Sequence, residues 1–256
     1  MVLNAQYSDQ IQSDRPGQSI GSNTLGAKVI QIQTGLAVLQ SNYKEIDADA
    51  VAQTNNTVLR LGITERFEVM GMLNYEIKRT QEQGFSNDVL EENGMVYNYH
   101  IGGRFNVLNR EGLIPSIGIQ GQIAKSTYDS GENFNDEFYL TLTASNTLTG
   151  SSRKNQIGLF SNIIYQKSFG LPFYSFNYTL GLSVNTGPNF GFFIEGFGVI
   201  TSNLVGGNYN IDAGIGWFPT DNLKLDRSVG LLDLDELDGI VSTFVDAGIS
   251  YRLNWR

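Results

Sequence analysis

The side chains able to do chemistry in this sequence are ionisable groups set singly between apolar neighbours. Arg60, Glu68, Glu76, Lys78, His100, Arg104, Glu195, Asp212, Lys224, Asp226, Asp246 and Arg252 each alternate with apolar residues along their segments. Two outcomes suit such a set. Arginines and carboxylates aimed into one hollow line a selectivity path for a passing solute. The same groups, paired with one another, form a neutralised network that closes the hollow. His100 is the one histidine and cysteine is absent. That excludes thiolate sites, disulfides and His-rich zinc centres, so no metal and no cofactor is expected. His100 reads either as a pH-sensitive group in the hollow or as one polar residue among many.

The elements that must position these groups follow from their spacing. Alternation of apolar and polar residues has the period of a strand, not of a helix. It recurs over 28–41, 54–63, 66–78, 95–108, 114–124, 136–146, 155–166, 173–185, 190–201, 208–218, 221–230 and 243–255. The segment 190–201 is ambiguous, because Phe193 and Phe197 share a face with Glu195. Tight connections carry turn residues at Thr64-Glu65, Asn109 to Gly112, Thr186 to Asn189 and Pro219 to Asp221. Longer polar connections are expected near 79–93, 125–135 and 231–242. No break in composition marks a second domain. With 29 glycines, 11% aromatics and only 17% charged residues, against roughly 25% in soluble domains, the chain is predicted all-β.

Sidedness decides the class. About twelve long strands close a ring too wide to fill with apolar side chains alone, and the apolar face of the strands carries one clear charge, Arg227. We therefore expect a transmembrane antiparallel up-and-down β-barrel, apolar outside and polar within. No run of 18 apolar residues exists and the mean hydropathy is −0.17, so no helix is expected to span a bilayer. A barrel in lipid must close, since hydrocarbon cannot satisfy an open sheet edge. Aromatics fall at the two ends of the strands: Phe67, Phe105, Phe190, Trp217, Tyr251 and Trp255 toward the short turns, Tyr75, Tyr97, Tyr99, Tyr165 and Tyr174 toward the long connections. Two such bands are the girdles of a membrane barrel. Arg227 is expected near a rim or beside a bulge, where its cost falls from about 2–4 kcal/mol toward zero.

Residues 1–27 stand apart from the barrel of 28–256. The opening MVLNAQ reads as the tail of a processed signal peptide, with the mature chain starting near Gln6, or as an initiating Met ahead of a short arm. Asp14, Arg15 and Pro16 either anchor this arm as a small plug inside the barrel or belong to an unordered periplasmic leader. The acidic stretches 129–137 and 231–238 lack the spacing of a calcium loop and read as solvated connections. A formal net charge of −9 disfavours nucleic acid as a partner.

Several segments resemble a known family. Ser13-Asp14-Arg15-Pro16-Gly17-Gln18, Gln31-Ile32-Gln33-Thr34-Gly35, Leu59-Arg60-Leu61-Gly62-Ile63-Thr64-Glu65-Arg66-Phe67-Glu68, Phe193-Ile194-Glu195-Gly196-Phe197-Gly198, Ile211-Asp212-Ala213-Gly214, Thr220-Asp221-Asn222-Leu223-Lys224-Leu225-Asp226 and Asp246-Ala247-Gly248-Ile249-Ser250-Tyr251-Arg252 are, as an ordered set, similar to the outer-membrane β-barrel transporter family named for a putative meta-pathway of phenol degradation, in its Bacteroidetes form. Arg227 stands where that pattern has an apolar residue. The resemblance implies an outer-membrane barrel with a role in solute uptake; the phenol link concerns some members and is not carried over.

The expectation is thus one barrel in a Gram-negative outer membrane, with both termini periplasmic and outer-membrane lipid around it. It would act as a passive channel for small solutes, apolar or aromatic ones among them. Arg60, Glu68, Glu76, His100, Arg104, Glu195, Asp212, Asp226, Asp246 and Arg252 would line its path. A structural or partner-binding barrel with a closed lumen is the alternative. A lipid-modifying enzyme is disfavoured, because such chemistry works on lipid at the outer face while His100 is predicted to point inward. The oligomeric state is left open.

Overall fold

The computed structural model describes residues 10–43, 48–83, 89–110, 113–128, 136–149, 156–202, 207–234 and 240–254. Twelve strands follow one another: β1 (Val29–Tyr43), β2 (Ala48–Gly62), β3 (Phe67–Gln83), β4 (Val89–Leu108), β5 (Ser116–Tyr128), β6 (Glu137–Thr149), β7 (Gln156–Ser168), β8 (Tyr174–Asn185), β9 (Phe190–Thr201), β10 (Gly207–Thr220), β11 (Leu223–Leu232) and β12 (Ile240–Asn254). Each pairs antiparallel with its chain neighbours. The β1–β12 ladder, running from Val29↔Asn254 to Tyr43↔Ile240, closes the ring. The result is the up-and-down barrel that the alternation predicts. Because the strand number is even, the start of β1 and the end of β12 lie at the same rim as the turns 63–66, 186–189 and 221–222. That rim is called the turn rim below; the opposite one is the loop rim.

Alternation fixes what each strand shows to either side. Along β11, Lys224, Asp226 and Ser228 are buried inside, while Val229 and Leu231 are 52% and 46% exposed outside. Among the described residues the buried set holds seven hydrophobic side chains and twenty-four polar or charged ones. A water-soluble sandwich buries the reverse. The outer face carries Leu36, Leu59, Ile101, Ile123, Leu142, Ile163, Leu180 and Ile194 at 48–70% exposure, in a band that only an apolar medium would cover. The ambiguity of 190–201 resolves in favour of Glu195: Glu195 is buried inside, with Phe193 and Phe197 on its face, while Phe192 and Ile194 point outward.

Two expectations need correction. The long connection placed at 79–93 is mostly strand, since Lys78–Gln83 pairs with Val89–Gly94 and the β3–β4 hairpin extends to Gln83↔Val89. The connections near 125–135 and 231–242 shrink likewise, because β5 runs to Tyr128 and β11 to Leu232. These strand ends carry no apolar alternation because nothing there requires an apolar face, yet backbone pairing continues. Arg227 lies mid-strand and not at a rim. It points outward, opposite Ile215 and Ala247, two ladder positions from the register shift between Trp217 and Thr220.

Candidate functional site: the occupied lumen

Residues 10–28 contain no strand. They pass through the barrel interior and hydrogen-bond to most of its wall. The segment starts at the turn rim, where Gln10 Nε2 donates to Pro188 O at 2.8 Å and Ile11 N donates to Asp221 O at 2.7 Å. It then rises past β11 and β12 and turns along β9, where the Gln18 N–H and the Ser19 hydroxyl both donate to the Glu195 carboxylate. On β7, the Asn162 amide accepts from Ile20 N at 2.8 Å and donates to Ile20 O at 3.0 Å. Ser22 Oγ meets Ser145 Oγ of β6 at 2.6 Å, and Asn106 of β4 donates to Ser22 O at 3.1 Å. Thr24 Oγ1 donates to Glu65 O at 2.9 Å, and Leu25 N donates to Glu68 Oε2 at 2.8 Å. The chain then enters β1.

Two adjacent residues of this segment are held by charge. Arg104 donates through Nη1 and Nη2 to the two oxygens of Asp14, at 3.1 and 2.8 Å, and Arg60 Nη1 lies 3.3 Å away. Both arginines are otherwise saturated. Arg60 forks onto Glu68 at 2.8 and 3.0 Å, and Arg104 donates twice to Gln120 Oε1 at 2.9 and 2.7 Å. Gly21 N adds a further bond to Asp14 at 2.9 Å. Burial pushes the Asp14 carboxyl up, but Arg104, then Arg60, with the bonds from Arg104 and Gly21, hold it well below the usual carboxylate range.

Arg15 goes the other way. Its Nη2 reaches both oxygens of Asp246 at 2.8 and 2.7 Å and Asp226 Oδ1 at 3.3 Å. The guanidinium lies flat on the wall because Gly35 and Gly248, register partners on β1 and β12, leave it room; a Cβ on either glycine would overlap it. Gly17 is a second close approach, with a φ of 98° and with Glu195 and Phe193 where a side chain would stand. Lys224 Nζ donates to Ser13 Oγ at 3.0 Å and to the Arg15 carbonyl.

Of the predicted lining residues, the interior therefore brings Arg60, Glu68 and Arg104 together around Asp14, Asp226 and Asp246 around Arg15, and Glu195 under Gln18 and Ser19. Asp212 is 2% exposed and sits beside Glu195 in the β9–β10 ladder, with no donor among the described residues on either oxygen. Arg252 stays at the turn rim with Asn222 and Asp221. Glu76 and His100 belong to the loop half, away from the segment; Glu76 accepts from Thr54 at 3.5 Å and His100 stacks obliquely on Tyr139 at 5.5 Å. Pro16 lines a cavity of about 230 Å³ between the segment and β7–β11, walled by Phe160, Phe193 and Phe218 with Lys224 and Glu195. Gln120, Asn106, Asn162, Thr179 and the Gly35–Gly248 pair were not singled out from sequence. A buried amide on an inward position reads like any other polar lumen residue until its partner is known.

On the outer surface, Phe67 faces Phe105 and Phe190 faces Trp217 near the turn rim, with Tyr251 at the same end. Tyr75 and Tyr97 stack at 5.2 Å and Tyr165, Tyr174 and Phe176 form a cluster within 5.8 Å. Tyr99 is 52% exposed. Trp255, residues 1–5, 129–135 and 235–238 fall outside the described residues.

No protein-family model and no curated protein matches this sequence. Solved structures do. The COG4313 outer membrane channel from Pseudomonas putida F1 superposes with a TM-score of 0.60 at 11% identity, over 93% of this chain and 100% of that one. The beta domain of the Bordetella autotransporter BrkA gives 0.58 at 10% identity, over 88% and 100%. The translocator domain of the autotransporter NalP from Neisseria meningitidis gives 0.55 at 10% identity, over 89% of each chain. The fold is that of an outer-membrane barrel. At such identities the likeness extends to architecture, and these barrels carry several roles.

Proposed function

We propose that this protein is a passive channel for small solutes in a Gram-negative outer membrane, with the turn rim and both chain ends on the periplasmic side. Residues 10–27 serve as its plug. The charged ring of Arg60, Glu68, Arg104, Glu195, Asp212, Asp226 and Asp246 is the path that the plug covers. Glu76 and His100 line the approach from the loop side and Arg252 the periplasmic exit. The aromatics at the two strand ends are its headgroup girdles. The family similarity of the quoted segments and the channel among the structural neighbours support this reading. The Phe160–Phe193–Phe218 cavity supports an aromatic or apolar part in the solutes carried.

One observation carries the proposal. The interior is polar and holds a segment that is bonded to side chains and not paired into the sheet. A segment held by side chains and by bonds to turn carbonyls, such as Ile11 N to Asp221 O, leaves without breaking a strand ladder, so the barrel opens without unfolding. The alternative, a structural barrel closed for good, draws on the saturation of Arg60 and Arg104 described above. Single-channel recording in planar bilayers separates the two. The full chain is expected to show rare, brief openings, and Arg15→Gln, which unhooks the segment from Asp226 and Asp246, is expected to raise open probability at least tenfold. Equal silence from both proteins, with the barrel intact by heat-modifiable mobility, would establish the closed barrel.

A further inference from the structure

We infer that the channel selects dipolar solutes, small molecules with an anionic and a cationic end, and that Asp14-Arg15 occupies their binding position. This inference rests on the channel reading above and deepens it.

The charges of the lumen are sorted by side. Arg60 and Arg104, with Glu68 between them, stand on β2–β4. Asp226, Asp246, Glu195 and Asp212, with Lys224 among them, stand on β9–β12. β4 and β11 are five ladders apart in a ring of twelve, and β2 and β12 are two, so the two groups occupy separate sectors of the wall, divided by β1. An unselective polar lumen would interleave its charges, since each one neutralised by a neighbour costs less to bury. Here Glu68 offsets one of the two arginines and Lys224 one of the four carboxylates, and the segment supplies further neutralisation on each side. Asp14 completes the arginine side at 2.8 Å and Arg15 completes the carboxylate side at 2.7 Å. When the segment leaves, both sides lose their partner at once, and each is built to hold another. The arginine fork takes a carboxylate by paired bonds. The cationic seat is already shaped, with a floor of Gly35 and Gly248 that a Cβ would fill. It also has spare acceptors: among the described residues, Asp226 Oδ2 and both oxygens of Asp212 have no donor.

The dimension follows from the occupant. Two consecutive residues with Cα atoms about 3.8 Å apart place their charged ends no farther than about 12 Å from each other, allowing for two extended side chains. Solutes the size of an amino acid or a dipeptide fit this span. A monovalent anion meets only one side and is repelled by the other. An uncharged sugar leaves both sides unpaired.

The test uses the full chain carrying Asp14→Asn and Arg15→Gln, which leaves every wall residue in place, reconstituted in liposomes and in planar bilayers. Osmotic swelling with glycylglycine is expected to exceed swelling with an uncharged pentose of similar mass at least fivefold. The end-capped dipeptide N-acetyl-Asp-Arg-amide, whose charges are those of its side chains alone, is expected to block single-channel current at millimolar concentration, and the uncharged N-acetyl-Asn-Gln-amide is expected not to. Equal swelling rates together with equal block by the two dipeptides overturn the inference and leave the channel standing. No flux of any solute overturns the channel reading and this inference with it. Should the double variant fail to insert, Arg15→Gln alone takes the same two measurements, because it vacates the cationic seat.

Discussion

Asp14 and Arg15 are consecutive in the chain, yet their side chains are held by separate sectors of the barrel wall, Asp14 by Arg104 of β4 at 2.8 Å and Arg15 by Asp246 of β12 at 2.7 Å. A single dipeptide thus ties together two sectors of the wall. Its removal leaves buried charge on both sides, which is why the segment is held firmly although no part of it is paired in the sheet.

Asp14→Asn removes one anion from between two buried arginines. Breaking a buried pair in this way costs about 3–5 kcal/mol, and the loss falls on docking of the segment, not on the strand ladders. The chain has no cysteine, so Ser22→Cys, at a position 1% exposed, serves as a reporter. Labelling by a membrane-impermeant thiol reagent is expected to be slow in the otherwise native protein and at least tenfold faster with Asp14→Asn.

Gly248→Val fills the floor under Arg15 with atoms and leaves every charge unchanged. The guanidinium is displaced and the segment loosened, so open probability in planar bilayers is expected to rise toward the level of Arg15→Gln. If the open probability of Gly248→Val matches that of the native chain, the seat is not glycine-built.

The pH response has a definite sign. Asp14 is held below its ordinary value, so its contribution to docking is present above the unfolded carboxylate range, near 3.9, and is lost only as pH falls through the lowered value. Asp14 therefore gives no opening between pH 8 and pH 5. Recordings in this window are expected to differ between the native chain and Asp14→Asn by a constant factor, with the two converging only in strong acid. A convergence near pH 6 would contradict the assignment of Arg60 and Arg104 as its holders.

The lipid-facing surface gives opposite expectations at two places. Leu142→Arg puts a cation in the middle of the outer band, opposite Ile119 and Ile163, and is expected to destabilise the barrel by about 2–4 kcal/mol in vesicles. Arg227→Leu removes the one cation from the outer face of β11, two positions from the level of Trp217. It is expected to stabilise by about 1 kcal/mol, less than the midplane value because the long side chain reaches toward the headgroups. Denaturant unfolding in the same vesicles reads both.

The barrel was legible because a period of two is a strong signal: Leu59, Leu61 and Ile63 against Arg60 and Gly62 allow one reading only. The signal fades where the membrane no longer demands an apolar face, and there the strand ends at Lys78–Gln83 and Val89–Gly94 looked like loop. The site was legible as a set of inward charges but not as an arrangement. Nothing in the spacing of Arg60, Arg104, Asp226 and Asp246 tells which pair with one another and which wait for Asp14 and Arg15. That depends on how strands far apart in sequence face each other around a ring. Gly35 and Gly248 stand in the quoted segments, but nothing there marks them as a seat, since an absent side chain matters only once Arg15 lies above it.

The segment that fills the barrel runs without interruption into β1, through Lys28, whose N–H donates to Gly62 O at 3.1 Å. Once out, it stays leashed to the mouth it has left, and a short leash keeps its own charges at an effective concentration of order millimolar. Anything that takes its seat has to match that figure. On the channel reading proposed above, the gate is thereby a threshold: shut against traces, open to abundance, and self-resealing when the supply falls.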